Sequence, residues 1–334
     1  MKNFNIVALG AALLSAVMGS TACGNAGTTT LRQTAAQKDI LIGSGAINPT
    51  YLDDARFATI LSQQFKSLSP ENELKWNFFH PNQHYYNWTA LDCLVGFAEA
   101  NDMVVKGHGL ISNCCNPDYL LNITEPARFR AAMVDHFNAV MHRYKGKIVT
   151  EAIQTMGGGL SNNTFLKVLG PGYIADAFRI ARAADADAKL FINEGLVESL
   201  PGKRQELYTL VAGLVGAKVP IDGVALQMHI TDVAPTPGVI TNITNSYTAL
   251  GLEVTIAEMD VHTLNKTLET EIYEAVIREA LDAGITDISF WGFTDKHAYT
   301  WLPGAKPLMF NEEYSAKGAY YATHAALTDF VMNN

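Results

Sequence analysis

The segment 188–194 reads Ala-Lys-Leu-Phe-Ile-Asn-Glu, and it indicates the class of fold. Leu190, Phe191 and Ile192 are consecutive apolar residues, so an extended segment here would be apolar on both faces. Parallel strands that are covered on both sides have this pattern. Seven other short segments of similar character recur along the chain. The eight candidate strands are 41–47, 67–72, 104–110, 148–155, 188–193, 221–229, 254–261 and 287–293.

Helical patterns separate these candidate strands. In 128–144, apolar residues such as Phe129 and Met133 recur three or four positions apart, and 173–184 and 269–283 behave alike. Eight strand–helix alternations in one chain predict a (β/α)8 TIM barrel, an α/β fold with a single domain. An open doubly wound sheet is the main alternative. Nucleotide binding by such a sheet is not supported, because no glycine-rich phosphate-binding motif follows the first strand.

The N-terminus has the pattern of a secretory signal peptide over 1–22. Lys2 is followed by a mostly apolar stretch at 6–17 that is too short to span a bilayer after export. Small residues precede Cys23, so we expect a secreted, extracellular protein. A lipid anchor on Cys23 is an alternative, although Ser20 stands where a lipoprotein signal has leucine.

The rest of the chain is predicted to be a short polar linker over 23–35 and a barrel domain over 36–330. The formal net charge is −9, and lysines and arginines form no cluster, which argues against nucleic acid and anionic membranes as partners. No later segment is long and apolar enough to span a membrane. We expect a monomer.

Cysteines follow the predicted cleavage point at four positions: Cys23, Cys93, Cys114 and Cys115. No paired spacing or matched histidines accompany them, so the sequence predicts neither a metal site nor a cofactor. Export would permit disulfides. Cys114 and Cys115 are adjacent, and each could pair with Cys93 or with the other.

Polar and aromatic side chains follow the candidate strands. The carboxyl ends of barrel strands meet at one rim, where these side chains would form a carbohydrate cleft. Aromatic rings pack on sugar C–H groups, while carboxylates, amides and histidines bind hydroxyls. The candidate residues are Glu71, Asn72, Lys75, His108, Asn193, Gln227, His229, Glu258, Trp291 and Trp301.

Several of these residues lie in segments that resemble glycoside hydrolase family 10, the family of endo-1,4-beta-xylanases. The segments are Pro-Glu-Asn-Glu-Leu-Lys-Trp at 70–76, Lys-Gly-His at 106–108, Gln-Met-His at 227–229, Thr-Ile-Ala-Glu-Met-Asp-Val at 255–261 and Phe-Trp-Gly-Phe-Thr-Asp-Lys at 290–296. They occur in the family's order, and the resemblance extends from about 31 to about 326.

The resemblance implies a retaining glycosidase that acts on β-1,4-xylan or a related β-glycoside. Glu258 would be the nucleophile, and His229 would orient it. Sugar binding would fall to Glu71, Asn72, Lys75, His108, Asn193 and Gln227, while Trp291 and Trp301 would wall the cleft.

The acid/base carboxyl of the family has no clear counterpart here. An alignment of 146–159 without a gap places Met156 at that position, and a thioether cannot donate a proton. A gapped alignment places Glu151 there, but shortening a barrel strand would disturb its register. We therefore favour Met156 and expect an enzyme with weakened or altered catalysis, whose acid is Glu151, Glu194 or the substrate itself. The alternative is a non-catalytic carbohydrate-binding pseudoenzyme.

Overall fold

The structure is a computed structural model that describes residues 29–145, 148–154, 160 and 162–334. The predicted signal peptide at 1–22, Cys23 and Met156 lie outside these residues. For 148–154 the structure gives the backbone course and the strand register.

A closed ring of parallel strands forms the centre of the molecule. In the described part of the chain, neighbouring strands pair in chain order from β1 to β6, β6 pairs with β8, β8 with β9, and β9 with β1. The short β7 extends the sixth position of the ring and pairs with the end of β8. The predicted eight-stranded barrel is confirmed. The strands are β1 Leu41–Ile47, β2 Ser67–Pro70, β3 Val104–Lys106, β4 Ile148–Gln154, β5 Lys189–Glu194, β6 Gly223–Leu226, β7 His229–Ile230, β8 Glu253–Val261 and β9 Asp287–Phe290.

Helices alternate with the strands and cover the outside of the barrel. The three helices expected from apolar spacing are present as α6 (Pro126–Arg143), α8 (Tyr173–Ala184) and α11 (Lys266–Asp282). Pro126 begins α6, where its fixed φ suits the first helical turn, and Asn265 caps α11 by accepting from the Thr267 and Leu268 amides. The helices are α1 Leu31–Ala35, α2 Ala55–Gln64, α3 Trp76–Phe79, α4 Thr89–Ala100, α5 Asp118–Leu121, α6 Pro126–Arg143, α7 Thr164–Leu169, α8 Tyr173–Ala184, α9 Pro201–Gly216, α10 Val239–Thr248, α11 Lys266–Asp282 and α12 Gly318–Asn333.

The barrel interior contains a buried polar layer beneath the rim. Lys106 forms an ion pair with Asp287, and its ammonium lies 2.8 Å from Ser289 Oγ. Gly43 lies beside this layer, and a Cβ at that position would be 2.1 Å from Ser67 Oγ. The polar groups therefore fill the interior only because β1 carries no side chain there.

Several sequence-based boundaries differ from the structure, and two of the differences have a clear structural basis. The predicted linker at 23–35 is too long, because α1 lies within it and its Leu31 and Ala35 are fully buried. Thr30 and Gln33 form a capping box that stabilises this short helix, and the helix packs against α12. The sixth strand is interrupted, since Met228 has a φ of 64° between β6 and β7.

The three described cysteines, Cys93, Cys114 and Cys115, carry free thiols, so the pairings considered among them are not formed. None of the helices in the described ranges is long and apolar enough to cross a membrane.

Candidate functional site

Glu258 lies on β8 with its carboxylate held from two sides. Its side chain is almost wholly buried. Asn193 Nδ2 donates to Glu258 Oε1 over 2.5 Å, and His229 Nε2 lies 3.2 Å from Glu258 Oε2. His108 Nδ1 lies 3.8 Å from Oε1. Both carboxylate oxygens are thus fixed by side chains that the sequence placed at the same rim.

The strand register brings these side chains together. The Glu258 amide donates to the Gln227 carbonyl over 3.1 Å, which fixes β8 against the end of β6. His229 lies opposite Asp260 in the β7–β8 pair. Between Gln227 and His229, Met228 adopts a left-handed φ that is uncommon for a residue with a side chain. This turn breaks the sixth strand directly before His229.

A buried histidine–aspartate network lies behind Glu258. His229 Nδ1 is 2.8 Å from Asp260 Oδ1, and His262 Nε2 is 2.9 Å from the same oxygen. The other nitrogen of His262 lies 2.9 Å from Thr300 Oγ1. The ligand atoms of His229, Asp260 and His262 lie close enough together to hold a metal ion. The contact between His229 and Asp260 is a hydrogen bond, whereas the buried His262 Nε2 lies at ion-pair distance from Asp260 and makes no hydrogen bond.

The charges and hydrogen bonds around Glu258 shift the pKa values of the groups in the site. Burial raises the pKa of Glu258, but the His108 ring and the hydrogen bond from His229 outweigh it and lower that pKa to about 2. Burial lowers the pKa of His229, yet Asp260 and then Glu258 outweigh it and raise that pKa to about 10. Burial lowers the pKa of His108. Near pH 7, His229 is therefore charged, and its ring is a cation that favours the ionised form of Glu258.

The predicted sugar-binding residues after β2 form one group. Lys75 Nζ donates to Asn72 Oδ1 over 3.0 Å, and the Asn72 amide donates to Glu73 Oε2 over 2.9 Å. Glu71 is partly exposed beside them. These contacts hold the segment in a fixed turn and leave Glu71 and Lys75 accessible from the rim.

Two tryptophans stand over the histidines. Trp291 lies against His108 with ring centroids 4.8 Å apart. A Cβ at Gly45 would be 2.7 Å from the Trp291 ring, so the glycine permits this packing. Trp301 stacks on His262 at 3.6 Å between centroids, while 47% of its surface stays exposed. Exposed aromatic faces on a rigid support suit carbohydrate binding.

Gln227 and Glu194 lie at the ends of β6 and β5. A Cβ at Gly195 would be 2.4 Å from Gln227 Oε1, so the glycine makes room for this side chain. Glu194 forms an ion pair with Lys203 at 2.9 Å and accepts from the Gly195 amide at 3.0 Å. The Glu194 carboxylate is therefore held by Lys203 and the Gly195 amide at the end of β5.

Glu151 is the central residue of β4. It lies level with Leu190 in the β4–β5 register, whereas Gln154 lies level with Asn193. Three residues of strand correspond to roughly 10 Å, so the backbone of Glu151 is well below the level at which Asn193 meets Glu258.

Asp260, His262 and Glu198 have no role in the sequence-based prediction. The first two had a signal, because Glu258, Asp260 and His262 alternate and would share one face of an extended strand. Glu198 had none. It is buried in the loop after β5, burial raises its pKa, and its Oε1 accepts from Ser199 Oγ at 2.9 Å.

Comparison with known proteins agrees with this geometry. The sequence profile of glycosyl hydrolase family 10 matches residues 30–326. The chain is 31% identical to endo-1,4-beta-xylanase B of Thermotoga neapolitana, over 93% of this chain and 95% of that protein. It is 32% identical to endo-1,4-beta-xylanase 3 of Hypocrea jecorina, over 79% and 76% of the two chains.

Solved structures are similar over the same range. Native xylanase 10B of Thermotoga maritima superposes with a TM-score of 0.86 at 31% identity and covers 92% of this chain and all of its own. Xylanase 10B of Thermotoga petrophila RKU-1, solved in complex with xylobiose, gives the same values. The profile match and these two sets of relatives together show that the chain belongs to glycosyl hydrolase family 10.

Proposed function

We propose that the protein is a secreted retaining β-glycosidase that acts on β-1,4-xylan or a related β-glycoside, with Glu258 as the nucleophile. The observation that carries this proposal is the state of Glu258. It is buried, held ionised at neutral pH and hydrogen-bonded at both oxygens. A fixed carboxylate at the barrel rim is what attack on an anomeric carbon requires.

The residues around Glu258 have separate tasks in the proposed reaction. Glu258 forms a bond to the anomeric carbon while the bond to the leaving oxygen breaks, and water later hydrolyses the glycosyl-enzyme. His229 keeps Glu258 ionised and oriented. Trp291 and Trp301 would pack against the faces of the sugar rings, and Lys75 would bind a sugar hydroxyl. The xylobiose complex of the Thermotoga petrophila relative supports this class of substrate.

Protonation of the leaving oxygen is the altered step in this proposal. Retaining enzymes place a second carboxyl about 5–5.5 Å from the nucleophile. We assign the position of that carboxyl to Met156. The register of Glu151 and the ion pair of Glu194 argue against both as substitutes. General acid catalysis typically contributes about 10²–10⁴-fold, so its loss would slow the reaction most for poor leaving groups.

A carbohydrate-binding protein without catalysis is the second candidate. One observation favours it. In the described part of the chain, the side chains that contact Glu258 are His108, Asn193 and His229, and Met156, which we assign to the position of the second carboxyl, carries no acidic group. Such a protein would bind oligosaccharides through the same cleft.

The test is hydrolysis of xylan and of aryl β-xylobiosides that differ in leaving-group acidity, with Glu258→Gln as the control. The proposal predicts cleavage of the activated substrates, a steep dependence on leaving-group pKa and no cleavage by the control. Met156→Glu should flatten that dependence. Binding of xylo-oligosaccharides without any cleavage would replace the enzyme proposal with the binding protein.

Secretion is proposed from the sequence pattern at 1–22 and Cys23. Expression of the full chain with the native N-terminus tests it. The proposal predicts a mature protein outside the cytoplasm that begins near Cys23, and intact Met1 on a cytoplasmic product would contradict it.

A further inference from the structure

Two adjacent cysteines lie in the loop that follows β3, at the same barrel rim as the candidate cleft. Cys114 is exposed and Cys115 is partly buried. The Cys115 carbonyl accepts from the Asn77 amide at 2.9 Å, which ties the loop to the segment that carries Asn72 and Lys75. Cys115 has a φ of 65°, so the backbone turns sharply between the pair and Asn116.

The contacts of Cys114 are those of a reactive thiol. Its Sγ lies 3.4 Å from Ser112 Oγ, and the side chain of Cys115 is hydrogen-bonded to it. The positive charge of the Lys75 ammonium favours the thiolate form of both cysteines. Hydrogen-bond donors and a nearby cation stabilise a thiolate, and exposure gives reagents access to it.

The two sulfurs differ in their protonation. Burial raises the pKa of Cys114, but the Cys115 and Ser112 hydrogen bonds and the charge of Lys75 lower it below its usual value. Burial and the neighbouring Cys114 raise the pKa of Cys115 to about 11. Cys114 is therefore the attacking sulfur, and Cys115 supplies a proton to its hydrogen bond.

We propose that Cys114 is a thiol–disulfide exchange site that takes low-molecular-weight disulfides, with Cys115 as the resolving thiol. The Cys114 thiolate bonds to one sulfur of the disulfide, the S–S bond breaks, and the other half leaves as a thiolate that takes a proton from water. Cys115, after losing its proton to solvent, then attacks the Cys114 sulfur and releases the second half as a thiol. Two protein thiols are oxidised while one disulfide is reduced.

The attack of Cys115 on the Cys114 sulfur is the unfavourable step. Adjacent Cα atoms across a trans peptide are about 3.8 Å apart, which is closer than the Cα separations usual for disulfides. A disulfide between Cys114 and Cys115 would therefore be strained and easily reduced. The mixed disulfide on Cys114 is therefore the species that accumulates when the small disulfide is in excess.

The charge of Lys75 acts on the Cys114 sulfur, so a group attached to Cys114 would change the surroundings of Lys75. If Lys75 binds sugar, which rests on the proposed function, this modification weakens oligosaccharide binding reversibly. A thiol reductant removes the group and restores the binding.

The experiment treats the native protein with glutathione disulfide and maps the modified cysteine by mass spectrometry. We expect one glutathione on Cys114 and much slower modification of Cys93, which is also exposed and serves as the internal reference. Cys115→Ser should retain the adduct longer, because the resolving thiol is gone. Cys114→Ser should abolish rim modification, and Cys93→Ser should leave it unchanged.

Equal rates at Cys93 and Cys114, or no adduct at Cys114, would overturn the proposal. Oligosaccharide binding is measured on the same samples, before and after reduction. A protein that is modified at Cys114 but binds no xylo-oligosaccharide in either state supports the exchange site and counts against the proposed substrate. Modification at Cys114 that leaves existing binding unchanged overturns the regulatory consequence.

Discussion

His229 and Asp260 face each other across the β7–β8 pair, and His229 Nδ1 lies 2.8 Å from Asp260 Oδ1. This contact raises the pKa of His229 to about 10 against the opposing effect of burial. His229 in turn reaches Glu258 with its other nitrogen. The charge of the candidate nucleophile thus depends on a carboxylate that does not touch it.

The first prediction concerns Asp260→Asn. Without the carboxylate, burial should return the pKa of His229 towards or below its usual value of about 6.5. Activity on an aryl β-xylobioside should then fall as pH rises through that range, instead of near pH 10. The measurement is the pH profile of kcat/KM for the wild type and the variant. An unchanged alkaline limb of the pH profile would mean that His229 does not determine the charge of Glu258. The control variant is Asp187→Asn, at an exposed position.

The second prediction concerns His262→Ala. His262 supports Trp301 by stacking at 3.6 Å and contacts Asp260 at 2.9 Å. Its loss should free the tryptophan and raise KM for xylo-oligosaccharides by about tenfold, the order expected for one aromatic contact. Steady-state kinetics check this, with the exposed His84→Ala as the matched control. A change in kcat alone would place His262 in the network but not in the cleft wall.

The third prediction compares two glycine-to-alanine changes. In Gly45→Ala the new methyl would lie 2.7 Å from Trp291, so the tryptophan must shift and oligosaccharide affinity should fall. In Gly96→Ala, on α4, the methyl meets open space, and stability should rise by up to about 1 kcal/mol. Calorimetric titration and urea unfolding measure both. Equal affinity in the two variants would show that Trp291 does not need its present position.

The fourth prediction concerns Lys317, which is bonded to two buried carboxylates. Its ammonium lies 2.8 Å from Glu269 and 2.9 Å from Asp295, and burial raises the pKa of Glu269 to about 7. Lys317→Met should lower the free energy of unfolding by about 3–5 kcal/mol at pH 8. The loss should be smaller at pH 5, because protonation of carboxyls with raised pKa values stabilises the folded state.

Urea unfolding at the two pH values tests that prediction. Lys306→Met is the control, since its ion pair with Glu312 lies at the surface and should contribute little to stability. An equal loss of stability at pH 5 and pH 8 would contradict the buried-charge explanation.

The barrel was predictable because its signals are local and repeated. Runs such as Leu190 to Ile192 fix strands, and strand ends place Glu258, His229 and Asn193 at one rim before any contact is known. The five-residue α1 was missed because so short a helix depends on tertiary packing and caps, and not on its own periodicity. The left-handed turn at Met228 had no residue signature either, since Met is not typical of positive φ.

The residues that hold the site in place were less predictable from the sequence than the residues that form it. Asp260 and His262 follow Glu258 at alternate positions, so their shared face could be inferred. Their partners could not, because Thr300 and Trp301 reach His262 from a separate loop whose course depends on the whole rim. Pairings between distant loops carry no periodic signal in one sequence.

Covalent trapping of Glu258 tests its assignment as the nucleophile most directly. The protein is incubated with an activated 2-deoxy-2-fluoro xylobioside, whose glycosyl-enzyme is hydrolysed slowly, and the peptides are mapped by mass spectrometry. We expect one sugar ester on Glu258 in the wild type and none in Glu258→Gln. Hydrolysis of aryl xylobiosides with a label on another residue, or with no label at all, would contradict the assignment of Glu258 as the nucleophile.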